Sequence, residues 1–159
     1  GGIWAIAVSH AHYYSTSALW SETFDAPLWI HALDEPWVLR RPEKLRLWSS
    51  DGQALFGGLR LVRSGGHFAG YQVAHWDREP GYLFAGDQPQ VCMDRQWVSF
   101  MWSYPNFIPF NAATVKRITA SLAPLAFDRI YGAFGRNVMT GAKDVIARSE
   151  ARYLRAIAD

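Results

Sequence analysis

The sequence predicts an α/β protein in which a mixed sheet is flanked by helices. An unbroken apolar run at residues 3–8 (IWAIAV) is typical of a strand buried on both faces. Short β segments separated by turns follow between about residues 44 and 86. The last third of the chain carries two amphipathic helical patterns. Strands and helices in this order favour an α/β sandwich over an all-α or all-β protein.

The first third of the chain alternates strand and helix signals. Ser15 or Thr16 can cap a short helix that runs to about Phe24, with Ala18, Leu19 and Trp20 available to pack inward. The segments predicted next are a buried strand at 27–32, one or two helical turns at 34–39, and short strands at 45–47, 59–62, 71–76 and 82–85.

Two helices are predicted near the end. Asn111 caps a helix with Val115, Ile118 and Leu122 on one face, and Pro124 stops it. A last strand is predicted at 127–131, and a C-terminal helix begins at Thr140.

Composition limits the classes of protein that this chain can be. At 159 residues it is expected to form a single domain, 1–159. Sixteen Lys and Arg against fourteen Asp and Glu argue against a nucleic-acid or anionic-membrane partner. No apolar stretch approaches a membrane span, and the single cysteine, Cys92, fits a reducing compartment, so we expect a cytoplasmic protein. The chain opens on Gly1-Gly2 directly before a strand, which we interpret as a fragment or a processed chain.

Two histidines follow the first predicted strand. Side chains at i and i+2 of an extended backbone lie on the same side, so His10 and His12 can point at one atom. Two neutral imidazoles beside a rigid strand form half of a zinc site. The alternative is a pair of polar residues in an exposed loop.

Two later strand ends resemble the first. Gly65-Gly66 precedes His67, and the strand at 82–85 is followed by Gly86 and Asp87. Three imidazoles and one carboxylate make a tetrahedral donor set for a divalent ion.

The order HxH, GGH and GD resembles the metallo-β-lactamase fold superfamily over residues 3–131. The resemblance implies the C-terminal part of a four-layer αββα sandwich, without the β-rich first half. It also implies that His10, His12 and His67 form the first metal site and that Asp87 is the carboxylate that usually bridges two metals.

The departures from the family motif HxHxDH all fall on the second metal site. Tyr14 stands at the Asp position, and Ser15 at the His position. Residues 132–135 (GAFG) lack the family's last histidine. We therefore predict a single metal ion held by His10, His12, His67 and Asp87, zinc first, with iron and manganese as alternatives.

The predicted function is metal-dependent hydrolysis of a small ester, thioester or amide-like substrate by a metal-activated water. Asp87 and Tyr14 are the predicted catalytic residues, with Tyr14 as a hydrogen-bond donor to a developing oxyanion. The alternative is a non-catalytic relative whose remaining ligands are structural or serve partner binding. Its support is the replacement of the second-site residues by Tyr14, Ser15 and Ala133.

An aromatic stretch at 97–110 follows the Asp87 loop closely. It predicts either the wall of a small-molecule pocket, or a segment that covers a hydrophobic face or forms a homo-oligomer contact. His31 and His75 are expected to be packed or surface histidines and not ligands.

Overall fold

Three parallel strands form the first of two main sheets. The computed structural model describes residues 2–158, and all structural statements refer to that part of the chain. The sheet holds β1 (Ile6–Ala7), β2 (Leu28–His31) and β3 (Leu45–Trp48), in that order. Helix α1 (Ser17–Phe24) connects β1 to β2, and a short helical stretch at Ala32–Trp37 follows β2.

Six strands form the second sheet. In spatial order it runs β13-β12-β7-β6-β5-β4. All its neighbours are antiparallel except β12 and β7, which are parallel. The strand bounds are β4 (Gly52–Ala54), β5 (Leu59–Arg63), β6 (Gln72–Trp76), β7 (Tyr82–Gly86), β12 (Arg129–Gly132) and β13 (Asn137–Val138).

Two short hairpins and two helices complete the fold. The hairpins pair β8 (Gln90–Val91) with β9 (Val98–Ser99), and β10 (Met101–Ser103) with β11 (Ile108–Pro109). Helix α2 (Ala112–Leu122) begins at Asn111, whose Oδ1 accepts the Thr114 N–H at 2.9 Å. Helix α3 (Ala142–Ala156) follows β13. The main core lies between these helices and the six-stranded sheet, and it includes Val115, Ile118, Val145, Val73, Leu83 and Ile130.

The predicted fold class is confirmed: the sheet is mixed and helices flank it. Two local expectations are wrong. The 3–8 run is not buried on both faces, since β1 is an edge strand pairing only with β2, and Trp4 is 75% exposed. Of the three α1 residues expected to pack inward, Ala18 is buried, but Leu19 and Trp20 are exposed, because α1 buries the face that carries Ala18 and Ser21.

No helix within residues 2–158 combines the length and the apolarity that crossing a bilayer requires.

Candidate metal centre

His10 and His12 meet through a turn. His10 has an extended backbone (φ −167°, ψ 176°), but Ala11–Tyr13 form a 3₁₀ turn. This turn, and not the strand alternation that the sequence predicts, brings Nδ1 of His12 within 3.2 Å of Nε2 of His10. His10 is fully buried and His12 is exposed.

His67 is placed by a glycine loop after β5. Gly65 has φ +62°, in the region that favours glycine, and the Arg117 guanidinium of α2 lies against it. Nη1 of Arg117 donates to the Ser64 carbonyl at 2.8 Å, which ties the loop to α2. Nδ1 of His67 lies 3.5 Å from the Met101 carbonyl. Its Nε2 is buried and has no hydrogen-bond partner.

Asp87 follows the end of β7 and is buried against Tyr71. The Asp87 N–H donates to the Tyr71 hydroxyl oxygen, and Oδ1 lies 3.0 Å from the same oxygen. Burial and the Asp87 charge raise the pKa of Tyr71 well above its usual range, so its hydroxyl stays protonated. Tyr71 therefore fixes the carboxylate without carrying a charge.

The four side chains converge on one point. One donor atom from each of His10, His12, His67 and Asp87 lies within 4.8 Å of all the others. Oδ2 of Asp87 is 3.6 Å from Nε2 of His10, and Oδ1 is 3.7 Å from Nε2 of His67. Tetrahedral zinc with bonds of about 2.0–2.1 Å sets ligand atoms roughly 3.4 Å apart. The distances of 3.2 Å from His10 to His12, 3.6 Å from His10 to Asp87 and 3.7 Å from His67 to Asp87 are close to that requirement.

The protonation of the imidazoles also suits a metal. Burial, with the neighbouring imidazoles of His67 and His12, lowers the pKa of His10 to about 3. Burial lowers the pKa of His67 as well, although the Asp87 charge opposes it. Nδ1 of His10 lies 3.0 Å from the Ser9 hydroxyl, so in both His10 and His67 the outer nitrogen has a partner and Nε2 faces the cluster. Metal-binding histidines have this arrangement.

Comparison with known proteins identifies the fold. No protein-family model matches the chain. A search of solved structures gives a B3 metallo-β-lactamase with an active-site glutamic acid, at a TM-score of 0.65 and 16% identity over 97% of this chain and 68% of that one. This chain has the metallo-β-lactamase fold. The chemotaxis sensor ODP, determined as a peroxy diiron species, matches at a TM-score of 0.70 and 15% identity, over 96% of this chain and 69% of its own.

One curated protein has a similar sequence. The uncharacterized protein YmaE of Bacillus subtilis (strain 168) is 46% identical over 160 residues, which cover 99% of this chain. The chain spans 58% of the length of YmaE. The structural matches at 15–16% identity establish the metallo-β-lactamase fold alone, because proteins with one fold carry out different reactions.

A cavity of about 740 Å³ opens beside the cluster in this metallo-β-lactamase fold. His12, His67 and Asp87 line it, together with Tyr13, Trp37, Phe68, Gln90, Trp102, Ser103, Tyr104, Pro105, Asn106 and Phe134. The aromatic stretch divides between the cavity and the core. Residues 102–106 line the cavity, whereas Val98, Phe100 and Phe110 are buried in the core.

Tyr13, and not Tyr14, faces the cavity, although Tyr14 stands at the Asp position of the family motif. Tyr14 packs on the small core formed by Leu28, Ile30 and Val38, and it does not line the cavity. Tyr13 does line it, with its ring centroid 4.8 Å from that of His10. The 3₁₀ turn causes this difference, because it rotates successive side chains differently from a strand. Predicting a turn at residues 11–13, in place of a continued strand, would have identified Tyr13 as the tyrosine that faces the cavity.

The structure also places the residues that stand where the family has its second-site ligands. Ser15 is exposed on the turn before α1. After β12, where the family's last histidine is absent, Phe134 lines the cavity instead. His31 and His75 lie outside the cluster. Nδ1 of His31 accepts the Leu33 N–H, and Nε2 of His75 lies 2.8 Å from the Ala126 carbonyl.

Proposed function

We propose that this chain is a metal-dependent hydrolase with one ion, zinc first, held by His10, His12, His67 and Asp87. The observation that carries the proposal is Nε2 of His67, a buried nitrogen without a partner that faces Asp87. A buried polar atom is costly unless something binds it, and a metal ion would satisfy it. Iron and manganese stay as alternatives, since the ODP sensor is a diiron protein.

The protein groups around this point suit hydrolysis of a small ester, thioester or amide-like substrate. When bound, such an ion lowers the pKa of a coordinated water to about 7 and polarises a carbonyl oxygen. Asp87 holds its carboxylate at the cluster, where it can act as a fourth donor or accept a proton. Burial and the Asp87 charge raise the pKa of Tyr13, so its hydroxyl can donate to a substrate oxygen at neutral pH. Tyr13 thus takes the role predicted for Tyr14.

A specific observation supports a second function, in which the metal only stabilises the fold or serves partner binding. The Asp and His of the family's second site are replaced by Tyr14 and Ser15. Tyr14 packs into a core and offers no base to the cavity. If Asp87 completes a four-protein-ligand set, the site is closed, as structural zinc sites are.

Metal analysis and hydrolysis assays of the same preparations separate these functions. We expect about one equivalent of metal per chain and metal-dependent hydrolysis of generic esters, thioesters or a cephalosporin reporter. His12→Ala and His67→Gln should lower the bound metal at least tenfold and abolish hydrolysis. His75→Gln, outside the cluster and able to keep a bond to the Ala126 carbonyl, should retain both.

Three results would contradict parts of the proposal. Two equivalents at full occupancy would exclude the single-ion site. One equivalent without hydrolysis, in a protein that unfolds on chelation, would establish the structural alternative. Full activity in His12→Ala would exclude a metal mechanism.

A further inference from the structure

The cavity beside the cluster has an unusual charge distribution, and its use as a substrate site rests on the proposed function. Its titratable lining groups near the cluster are only the histidines and Asp87, apart from two tyrosines. The chain has sixteen Lys and Arg, yet in the described part of the chain none lines this cavity. Three of them, Arg60, Arg63 and Arg117, line a separate depression. With an ion at the cluster, positive charge would be confined to that point, and an anionic group elsewhere on a substrate would meet no lysine or arginine among the described lining residues.

Aromatic rings extend from the cluster along one wall. Phe68 meets the His12 ring edge to face, with centroids 4.9 Å apart and planes at 88°. Trp37 meets Phe68 in the same way, at 5.5 Å and 89°. Apolar surface thus begins at the imidazoles and continues outward through two further rings.

The rest of the mouth is also apolar and exposed. The exposed fractions are 57% for Trp37, 53% for Trp102 and 65% for Phe134. Phe134 has φ +62°, an unfavourable conformation for a bulky residue, and this conformation presents its ring at the cavity. A cluster of large rings kept in water around a cavity is typical of a binding site for an apolar ligand.

We infer that the site takes uncharged acyl substrates with an extended alkyl or aryl group, and that it discriminates against carboxylate-bearing ones. The reacting carbonyl would lie at the cluster and the apolar group against Phe68, Trp37 and Trp102. Gln90, Ser103 and Asn106 offer neutral hydrogen-bonding groups. A carboxylate at the far end of the acyl group would lie against this apolar lining without a cationic partner, which is unfavourable.

Ester series on the zinc-loaded protein test this directly. We expect kcat/KM for neutral 4-nitrophenyl esters to rise about three- to fourfold per methylene from acetate to hexanoate, the increment of a buried CH₂. The 4-nitrophenyl hexanoate should exceed the mono-4-nitrophenyl ester of adipic acid, of equal chain length, by roughly tenfold or more. No dependence on chain length, or a preference for the charged ester, would overturn the inference.

Single variants locate the effect in the cavity. Trp102→Ala and Trp37→Ala should lower kcat/KM for the hexanoate ester more than for the acetate ester, which flattens the chain-length dependence. Trp4→Ala is the matched control, because Trp4 is exposed, contacts Phe56 and does not line the cavity. An unchanged chain-length dependence in both cavity variants would contradict the assignment of these walls.

A binding measurement separates this inference from the proposed function. If no ester, thioester or cephalosporin reporter is hydrolysed, the proposed function fails, and calorimetric titration with acetamide, hexanamide and adipic acid monoamide still tests the cavity. Hexanamide should bind at least tenfold more tightly than either of the others, and Trp102→Ala should remove the difference. Equal binding of all three would overturn the inference regardless of activity.

Discussion

Ser9 orients one of the candidate metal ligands, His10. Its hydroxyl lies 3.0 Å from Nδ1 of His10, which fixes the ring so that Nε2 faces Asp87. We expect Ser9→Ala to lower zinc affinity by roughly 10- to 100-fold, the usual effect of losing such a partner, with little change in folding. Competition with a chromophoric chelator measures the affinity, and Ser121→Ala on α2 is the control. Equal affinities in wild type and Ser9→Ala would show that the bond is incidental.

A second single residue, Asp34, gives a pH-dependent prediction. Asp34 is buried, its Oδ1 accepts the Gly70 N–H at 2.6 Å, and its Oδ2 has no partner. Burial raises the pKa of Asp34, although the Gly70 bond opposes this. Because the folded pKa lies above the unfolded one, ionisation destabilises the fold as the pH rises above the unfolded value near 3.8.

The variant Asp34→Asn keeps the Gly70 acceptor and cannot ionise. Its free energy of unfolding, relative to wild type, should therefore increase between pH 4 and pH 7. Urea denaturation at several pH values measures this difference, with the exposed Asp77→Asn as the control. A difference that falls with pH would show that the ionised carboxylate is stabilised by the fold.

The candidate ligands could be named from the sequence because each lies near a recognisable strand end. His67 and Asp87 each follow a glycine after a strand, and His10 follows the apolar run 3–8 by one residue. The structure brings the three together with His12. Their binding of a metal stays a prediction. Tyr13 could not be chosen over Tyr14, because the choice depends on whether residues 11–13 continue the strand or turn.

At the scale of elements, helix α2 has a local signal that determines where it begins. The Asn111 side chain accepts the Thr114 N–H, and Val115, Ile118 and Leu122 bury one face. We expect Asn111→Ala to lower the free energy of unfolding by about 1 kcal/mol, the usual cost of losing such a cap. Chemical denaturation measures it, and Asn106→Ala in a loop is the comparison. A loss no larger than that of Asn106→Ala would mean that packing alone fixes the start of α2.

Elements with a strong local pattern were predictable, and elements whose burial depends on neighbours were not. The spacing of the apolar residues along α2 predicts which face of that helix is buried. By contrast, the apolar run at 3–8 predicts a central strand, whereas β1 lies at the edge of its sheet. Its place in the sheet depends on β2 and β3 and not on its own residues. The same applies to α1, where Leu19 and Trp20 are apolar yet face away from the sheet.

At the scale of the whole molecule, Gln72 joins the two main sheets. Its buried side chain on β6 accepts the Trp48 indole N–H at 2.7 Å and donates to the carbonyls of Val8 and Trp29, at 2.8 and 2.9 Å. These partners lie on or beside β1, β2 and β3. No sequence pattern predicts such a link, because its partners are up to 64 residues away.

Replacing Gln72 by methionine tests how strongly that link stabilises the fold. Gln72→Met keeps the length of the side chain but leaves one donor and two acceptors buried without partners, at about 1–3 kcal/mol each. We therefore expect about 3 kcal/mol or more to be lost from the free energy of unfolding. Zinc affinity should also fall, because Val8 directly precedes Ser9 and His10. Urea denaturation and chelator competition measure the two effects, with Gln53→Met on β4 as the control. If Gln72→Met unfolds at the wild-type urea concentration, the sheets are held together by apolar packing and not by this amide.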